Sequence, residues 1–456
     1  MNRNTVVTPD FWSPIASLIE RKCNDFDNTW RKRKRIINTR FLVTFILKLA
    51  MSKNKQGYAS ILSELWEHNA FSTFKSVPVS ASSVCDARKK MPPAIFTELN
   101  QSVLAHQENV TQLPLWYGRR VFGVDGSKIN LPRKLLDADY KAPNQDQYYP
   151  QGLFSTLYHL GSGLIYDGMI SADRCERTCL LAHMERLEKD DVLVLDRGYF
   201  SYLVISKAME KGLHLICRMQ NGNVNKEVKD FLISDSVDDI ITYTPSLAVK
   251  YATEKRGYNV KLIPIKLRLI KYVINDETYV CSTTLLDEKY SINALSKAYH
   301  GRWGIEELYK VSKEFIGLED FHGHSERGVL QECYAHILMI NIARIFESEA
   351  IKTLPTELPD DKEHQEPQDS YWKDFCGEFR KVNINFKNCL LVLGRGLVKL
   401  IFLQKEMEHD WINRLVQSIS RIRQKIRRGR HVPRISRRAI RKWRSGERGK
   451  KHQSNP

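Results

Sequence analysis

Apolar residues near the start of the chain recur at helical spacing. Phe41, Leu42, Phe45, Ile46 and Leu49 share one face, and residues 1–112 read as a helical unit. From about Val121 the pattern changes to short apolar runs separated by turn residues, at 121–124, 152–160, 163–170, 192–195 and 213–217. Runs of that length with glycine punctuation predict strands, and Gly161-Ser162-Gly163 predicts a hairpin between the second and third. Helical spacing intervenes at 179–187 and 203–211, so residues 113–350 are expected to form a mixed α/β layer structure. Within it, 220–288 keeps the strand pattern without comparable helices and reads as a β-rich insertion. A long helix is predicted from near Ser291, followed by apolar helical sequence over 329–346. The stretch 351–371, rich in Pro, Asp and Glu, reads as an exposed linker, and 372–456 as a helical region with a basic tail.

Charge changes this picture through its location. The chain carries a net +18, and residues 421–456 hold fifteen Lys/Arg against the single acid Glu447. A tail of +14 on a body of about +4 is a device for binding polyanions through counterion release, or else a solubilising tail. Two further basic features lie nearer the start. Arg31-Lys32-Arg33-Lys34-Arg35 is either a solvated helix start or a phosphate contact. Ser80 is a good N-cap for a helix stopped by Pro92 and Pro93, and its Arg88, Lys89 and Lys90 suit entry into a DNA major groove.

Other classes are disfavoured. No apolar run approaches the roughly 20 residues of a membrane span, and the nearest, 41–51, is interrupted by Lys48. No secretory signal is evident, so cytoplasmic residence is expected. The nine cysteines lack the paired spacings of a zinc site or a disulfide framework, and Cys175 and Cys179 read as a half-buried helix face.

Candidate chemistry begins with two aspartates. Phe122-Gly123-Val124-Asp125-Gly126 and Leu193-Val194-Leu195-Asp196-Arg197-Gly198-Tyr199 each place an acid just past an apolar strand, where ligand sites of α/β sheets gather. Asp-Gly is also a common turn dipeptide, so neither acid is decisive alone. The helix predicted to carry Tyr299, Arg302, Glu306 and Lys313 is more informative. At ~100° per residue, with Tyr299 at zero, Arg302 falls near −60°, Glu306 near −20° and Lys313 near −40°. Glu307 falls near about +80° and Lys310 near about +20°, so phase selects Glu306 over Glu307 but does not exclude Lys310. A plain Arg302–Glu306 surface pair would share this spacing.

Tyr299, two residues, Arg302, three residues, Glu306, six residues and Lys313 reproduce a known signature. The chain here resembles the insertion-sequence transposases commonly numbered the fourth family, whose Tyr-Arg-Glu-Lys motif has this spacing. The similarity covers about 115–350 and extends to the helix bearing Arg88, Lys89 and Lys90. It implies an RNase H-like catalytic core with a β-rich insertion, preceded by a helical DNA-binding domain and followed by a basic helical region. It further implies a DDE transposase that uses two Mg²⁺ ions, with Mn²⁺ substituting, to cut double-stranded DNA at transposon ends and join it to target DNA. By position Asp125, Asp196 and Glu306 become metal ligands, and Tyr299, Arg302 and Lys313 contacts to end DNA. No motif here places the family's base-flipping tryptophan.

Two other readings remain: an RNase H-like nuclease that cuts without joining, and a transposase-derived DNA-binding regulator without activity. A homodimer on DNA, in a prokaryotic and nucleoid-associated setting, is expected from joining two ends at once. The leucine-rich 390–393 and 397–403 offer either a dimer face or an internal core.

Overall fold

The computed structural model describes residues 10–32, 36–51, 57–67, 79–145, 147–219, 226–258, 261–274, 277–354, 382–402 and 408–425. Most of the Arg31-Lys32-Arg33-Lys34-Arg35 run, of the linker and of the basic tail lies outside them.

Five helices come first: α1 (Ser13–Trp30), α2 (Thr39–Ala50), α3 (Tyr58–Glu67), α4 (Ala81–Lys90) and α5 (Ala94–Val110). Their starts follow local chemistry. Pro14 sits in the first turn of α1, the Asn38 side chain accepts from the Phe41 N–H at 2.8 Å, and Ser80 accepts from the Ser83 N–H at 3.2 Å.

Then come β1 (Val121–Asn130), β2 (Gln151–His159), β3 (Ile165–Ser171), α6 (Glu176–His183), β4 (Val192–Leu195), α7 (Tyr202–Glu210) and β5 (His214–Arg218). The strands lie in the order β3-β2-β1-β4-β5, with β2 antiparallel to β1 and β3, and β1, β4 and β5 mutually parallel. This is an RNase H-like core. The predicted hairpin joins β2 and β3, with Gly163 at φ +73° supplying the left-handed turn conformation.

Residues 226–283 add α8 (Lys226–Ile233), β6 (Asp238–Tyr243), α9 (Leu247–Glu254), β7 (Ile265–Ile274) and β8 (Glu277–Thr283). Their strands extend the same sheet, through β8 beside β5, to eight strands among the described residues. The two short helices are not announced by the strand pattern. Only Val228 and Phe231, spaced one turn apart, mark the buried side of α8.

The chain closes with α10 (Ile292–Gly301), α11 (Trp303–Lys310), a π-helical turn over Val311–Ile316, and α12 (Glu326–Lys352). After these come β9 (Val382–Ile384), the helices Phe386–Phe402 and Glu408–Arg421, and β10 (Arg423–Lys425) paired with β9. Helix α12 is buried nearly all round and lies in the interior, where α1–α5, the two final helices and one face of β1–β3 share a core with it. The other face of β1, β4 and β5 packs on α6 and α7, while α10 covers β4, β5, β7 and β8. Leu390, Leu393, Leu397 and Leu400 are buried in this intramolecular core, which accounts for the leucine-rich run. Among the described residues no helix is long and apolar enough to cross a membrane.

Arg88 departs from the picture of a groove-reading helix. It is 4% exposed and turned inward, donating from Nε to Gln331 Oε1 at 2.8 Å, from Nη1 to the Tyr58 hydroxyl at 2.6 Å and from Nη2 to the Gly328 carbonyl at 2.7 Å. It also pairs with the equally buried Glu332. A guanidinium whose fork is spent on a protein carboxylate and carbonyl has nothing left for a base or phosphate. Lys89 and Lys90 face solvent, Lys89 at 3.0 Å from Asp86. Arg88→Ala strands the buried Glu332 charge and is expected to lower unfolding free energy by about 3–5 kcal/mol in chemical denaturation. Lys89→Ala is expected to leave it unchanged. A near-neutral Arg88→Ala would show that this ion pair does not tie α4 to α12.

Candidate active site

The sheet itself brings the two aspartates together. Gly123 on β1 is in register with Val194 on the parallel neighbour β4. Asp125 and Asp196 each stand two residues further on, side by side: Asp196 directly follows β4, whereas Asp125, expected just past a strand, lies midway along the longer β1, where its pairing with β4 has ended but that with β2 continues. The third acid arrives through close packing. A Cβ on Gly123 would lie 2.5 Å from the Ile305 Cδ1 atom, so the glycine leaves room for the Ile305 side chain of α11 against β1. Ile305 is fully buried there, and Glu306, the next residue, stands half-buried at the rim beside the aspartates.

Arg302 occupies the middle. Its Nη2 donates to Glu306 Oε1 at 2.9 Å, and Nη1 lies 3.7 Å from Asp125 Oδ2. Burial alone would favour loss of its charge, but Tyr299, Asp196, Asp125 and Glu306 outweigh that and hold it cationic. Tyr299 is buried and donates from its hydroxyl to Asp196 Oδ1 at 3.3 Å. Tyr299, Arg302 and Glu306 therefore converge on the two aspartates as helical phase predicts, although Arg302 marks the junction of α10 and α11.

Lys313 behaves differently. The helix passes into a π-helical turn at Val311, which shifts the phase of everything after it. The Lys313 ammonium lies 3.7 Å from Glu319 and donates to the Lys128 carbonyl on β1, at the edge of the group rather than in it. Arg88 is in the interior, as described above.

The main chain of Asp125 is gripped from beneath. Tyr309, a buried residue, donates its hydroxyl to the Asp125 carbonyl at 2.7 Å, and Ser155 donates to the same oxygen at 3.3 Å. Ser155 is in turn 3.0 Å from His183, whose other ring nitrogen lies 2.8 Å from Asp167. The order Ser–His–Asp is that of a hydrolase triad, but Ser155 and His183 have no exposed surface and no substrate can reach them. They brace β1.

One acid absent from the sequence-derived set faces this site. Glu176, in the first turn of α6, is half-buried and held above the usual carboxylate range by burial and then by the negative charge of Asp196. Its only signal in the sequence is an acid shortly after a strand, which many surface helices share. Asp125 is shifted more. Burial pushes its carboxyl up to about 6, Arg302 and the Gly126 N–H oppose the rise, and Glu176 and Glu306 add to it. Among the described residues no three His, Cys, Asp or Glu side chains already converge on one point as a metal cluster would require. Glu306 is turned onto the Arg302 guanidinium.

Residues 116–342 match the family described as Transposase DDE domain. A candidate transposase of Sinorhizobium fredii, y4zB, is 24% identical over 161 residues, 35% of this chain and 43% of that protein, so the similarity spans less than half of the relative's length. A cryo-EM structure of the piggyBac transposase synaptic complex with hairpin DNA aligns over 90% of this chain and 83% of its own, at 11% identity and a TM-score of 0.40.

A carboxyl raised above its unfolded value binds its proton more tightly in the folded state. Its contribution to stability is therefore full below pH ~4 and is lost as pH rises through about 6. Without divalent ions, Asp125→Asn is expected to melt above the native chain at pH 7.5 by on the order of 2 °C, the gap narrowing through pH ~5 and closing below pH ~4. A gap independent of pH in thermal melts would mean that Asp125 is not the titrating group.

Proposed function

On the premise that residues 116–342 are a Transposase DDE domain, we propose that the chain is an active DNA transposase whose acids are Asp125, Asp196 and Glu306. The observation that carries this reading is their placement: the neighbouring strands β1 and β4 and the packed helix α11 bring three carboxylates to one rim around Arg302. The Tyr-Arg-Glu-Lys spacing supports the finer reading, an insertion-sequence transposase of the fourth family that cuts transposon ends and joins them to target DNA. A nuclease that stops at cutting would need the same site.

The donor set fits hard divalent cations. Carboxylate oxygens are the preferred ligands of Mg²⁺ and Mn²⁺, and the buried Tyr199 hydroxyl beside them lacks a partner among the described residues. Asp125, Asp196 and Glu306 would hold two ions, with −3 against +4. Bound ions supply charge stabilisation for both the attacking and the leaving oxygen of an in-line displacement at phosphorus. The chain's own residues do the rest. Tyr299 and the Tyr309–Ser155 grip fix where the two aspartates stand. Arg302 neutralises Asp125 and Glu306 in the ion-free chain, and with ions bound its guanidinium is free to turn to a DNA phosphate. Lys313, at the rim beside Lys128, suits a phosphate further along the strand. Double-stranded DNA of the transposon ends and target is thus the partner, with two protomers needed to hold two ends.

Asp125→Ala, Asp196→Ala and Glu306→Ala are each expected to abolish Mg²⁺-dependent cleavage of end DNA while leaving DNA binding in place. Full activity in any one of them sinks the assignment. Products that are cut but never joined to target would favour the nuclease reading, and binding without any cleavage by the native chain the regulator reading.

The second expectation concerns the tail. Because Arg423–Lys425 pair with β9, truncation belongs after Lys425, which removes twelve of the fifteen basic residues of 421–456 and spares the fold. The shortened chain should bind DNA more weakly, with a flatter dependence of log affinity on log salt. An unchanged slope refutes a role for the tail.

A further inference from the structure

The acids proposed above leave one side of the site unexplained. Gly126 follows Asp125 and Gly198 stands two residues after Asp196, and the Glu176 side chain lies against both. A Cβ on Gly126 would be 3.4 Å from Glu176 Cγ, and a Cβ on Gly198 would be 3.6 Å from Glu176 Oε2. Glu176 thus reaches from α6 to the residues just after both aspartates. It makes no ion pair or side-chain hydrogen bond among the described residues. A half-buried acid beside a second acid costs free energy, and the charges of Lys128 and Arg177, neither in ion-pair contact with it, do not offset that cost: its carboxyl stays above the usual range.

A second, independent feature points the same way. The Tyr199 hydroxyl is without a hydrogen-bond partner although the residue is 1% exposed. The charged groups that act on it most strongly are Glu176 and then Asp125. Buried hydroxyls are nearly always satisfied, so an orphan one that feels two carboxylates marks a place where a ligand or its water belongs. The bland alternative is that Glu176 merely complements the N-terminus of α6, where acids are favoured.

We propose that Glu176 is a fourth acidic ligand, binding a divalent cation together with Asp125 and Asp196, and that the Tyr199 hydroxyl positions that cation's shell. This rests on the transposase reading of the same site. It also alters the charge balance. Four carboxylates match the +4 of two divalent ions, which leaves Arg302 and Lys313 as the net positive charge offered to DNA.

The test is Mn²⁺ binding to the full-length chain without DNA, followed by calorimetry and by the electron paramagnetic resonance of free Mn²⁺. Glu176→Gln is expected to weaken binding by at least about tenfold, as Asp196→Asn does, while Glu307→Gln on the outer side of α11 leaves it unchanged. Glu176→Asp keeps the charge at the helix start but shortens its reach, and is also expected to bind more weakly. That variant covers the case in which Glu176→Gln fails to fold. Tyr199→Phe should raise the melting temperature of the ion-free chain, by removing an orphan hydroxyl, and yet reduce the stabilisation given by Mn²⁺. A role in packing alone would not produce those opposite signs.

Native affinity in Glu176→Gln and Glu176→Asp, with loss in Asp125→Asn and Asp196→Asn, overturns the role of Glu176 and leaves the transposase reading standing. Failure of the native chain to bind Mn²⁺ overturns both.

Discussion

The site depends on the cost of holding several carboxylates close together away from bulk water. Arg302 answers that cost in the ion-free chain, with one guanidinium reaching Glu306 and Asp125 while Asp196 adds to its field. Much of the surrounding structure serves to keep the acids where a single cation matters to all of them. The β1–β4 register sets the aspartates side by side, Gly123 admits Ile305 and so delivers Glu306, and Tyr309 and Ser155 hold the Asp125 carbonyl. Electrostatic strain of this kind is wasteful for stability and useful for binding metal and phosphate, because the acids gain most when a divalent ion arrives.

Helix α12 transmits that order outward. Its polar residues are deep but paired: Asn341 donates to Asn100 at 2.7 Å and to the Ile165 carbonyl at 2.8 Å, His336 lies 2.9 Å from Ser312 in the π-helical turn, and Glu332 meets Arg88. The N-terminal helices, β3 and the segment after Glu306 thus all key onto one spine. Such buried polar contacts specify a unique docking where apolar packing alone would tolerate sliding.

Different parts of this were legible in the sequence for different physical reasons. The mixed α/β core and the β2–β3 hairpin follow from short-range periodicity and glycine. Glu306 follows from helical phase, since Tyr299, Arg302 and Glu306 lie before the π-helical turn. Lys313 lies after that turn, and the phase argument carries it too far inward. Arg88 could not be read correctly from its neighbours, because the carboxylate that draws it inside is 244 residues away. The packing of Ile305 on Gly123 and the reach of Glu176 toward Gly198 are likewise tertiary, with no period to announce them. Side-by-side placement of Asp125 and Asp196 required the parallel register, which no strand pattern specifies. The basic tail beyond Lys425 remains an argument from charge.

The proposed divalent-ion site lies on the adjacent inner strands β1 and β4. Loading the chain with Fe²⁺ in place of Mg²⁺ and then adding ascorbate and peroxide generates radicals that cut the backbone next to the bound ion. Mass spectrometry of the fragments is expected to place the cuts around Asp125, Asp196 and Glu306, and excess Mg²⁺ should suppress them. Cuts clustered elsewhere, or unaffected by Mg²⁺, would contradict the account.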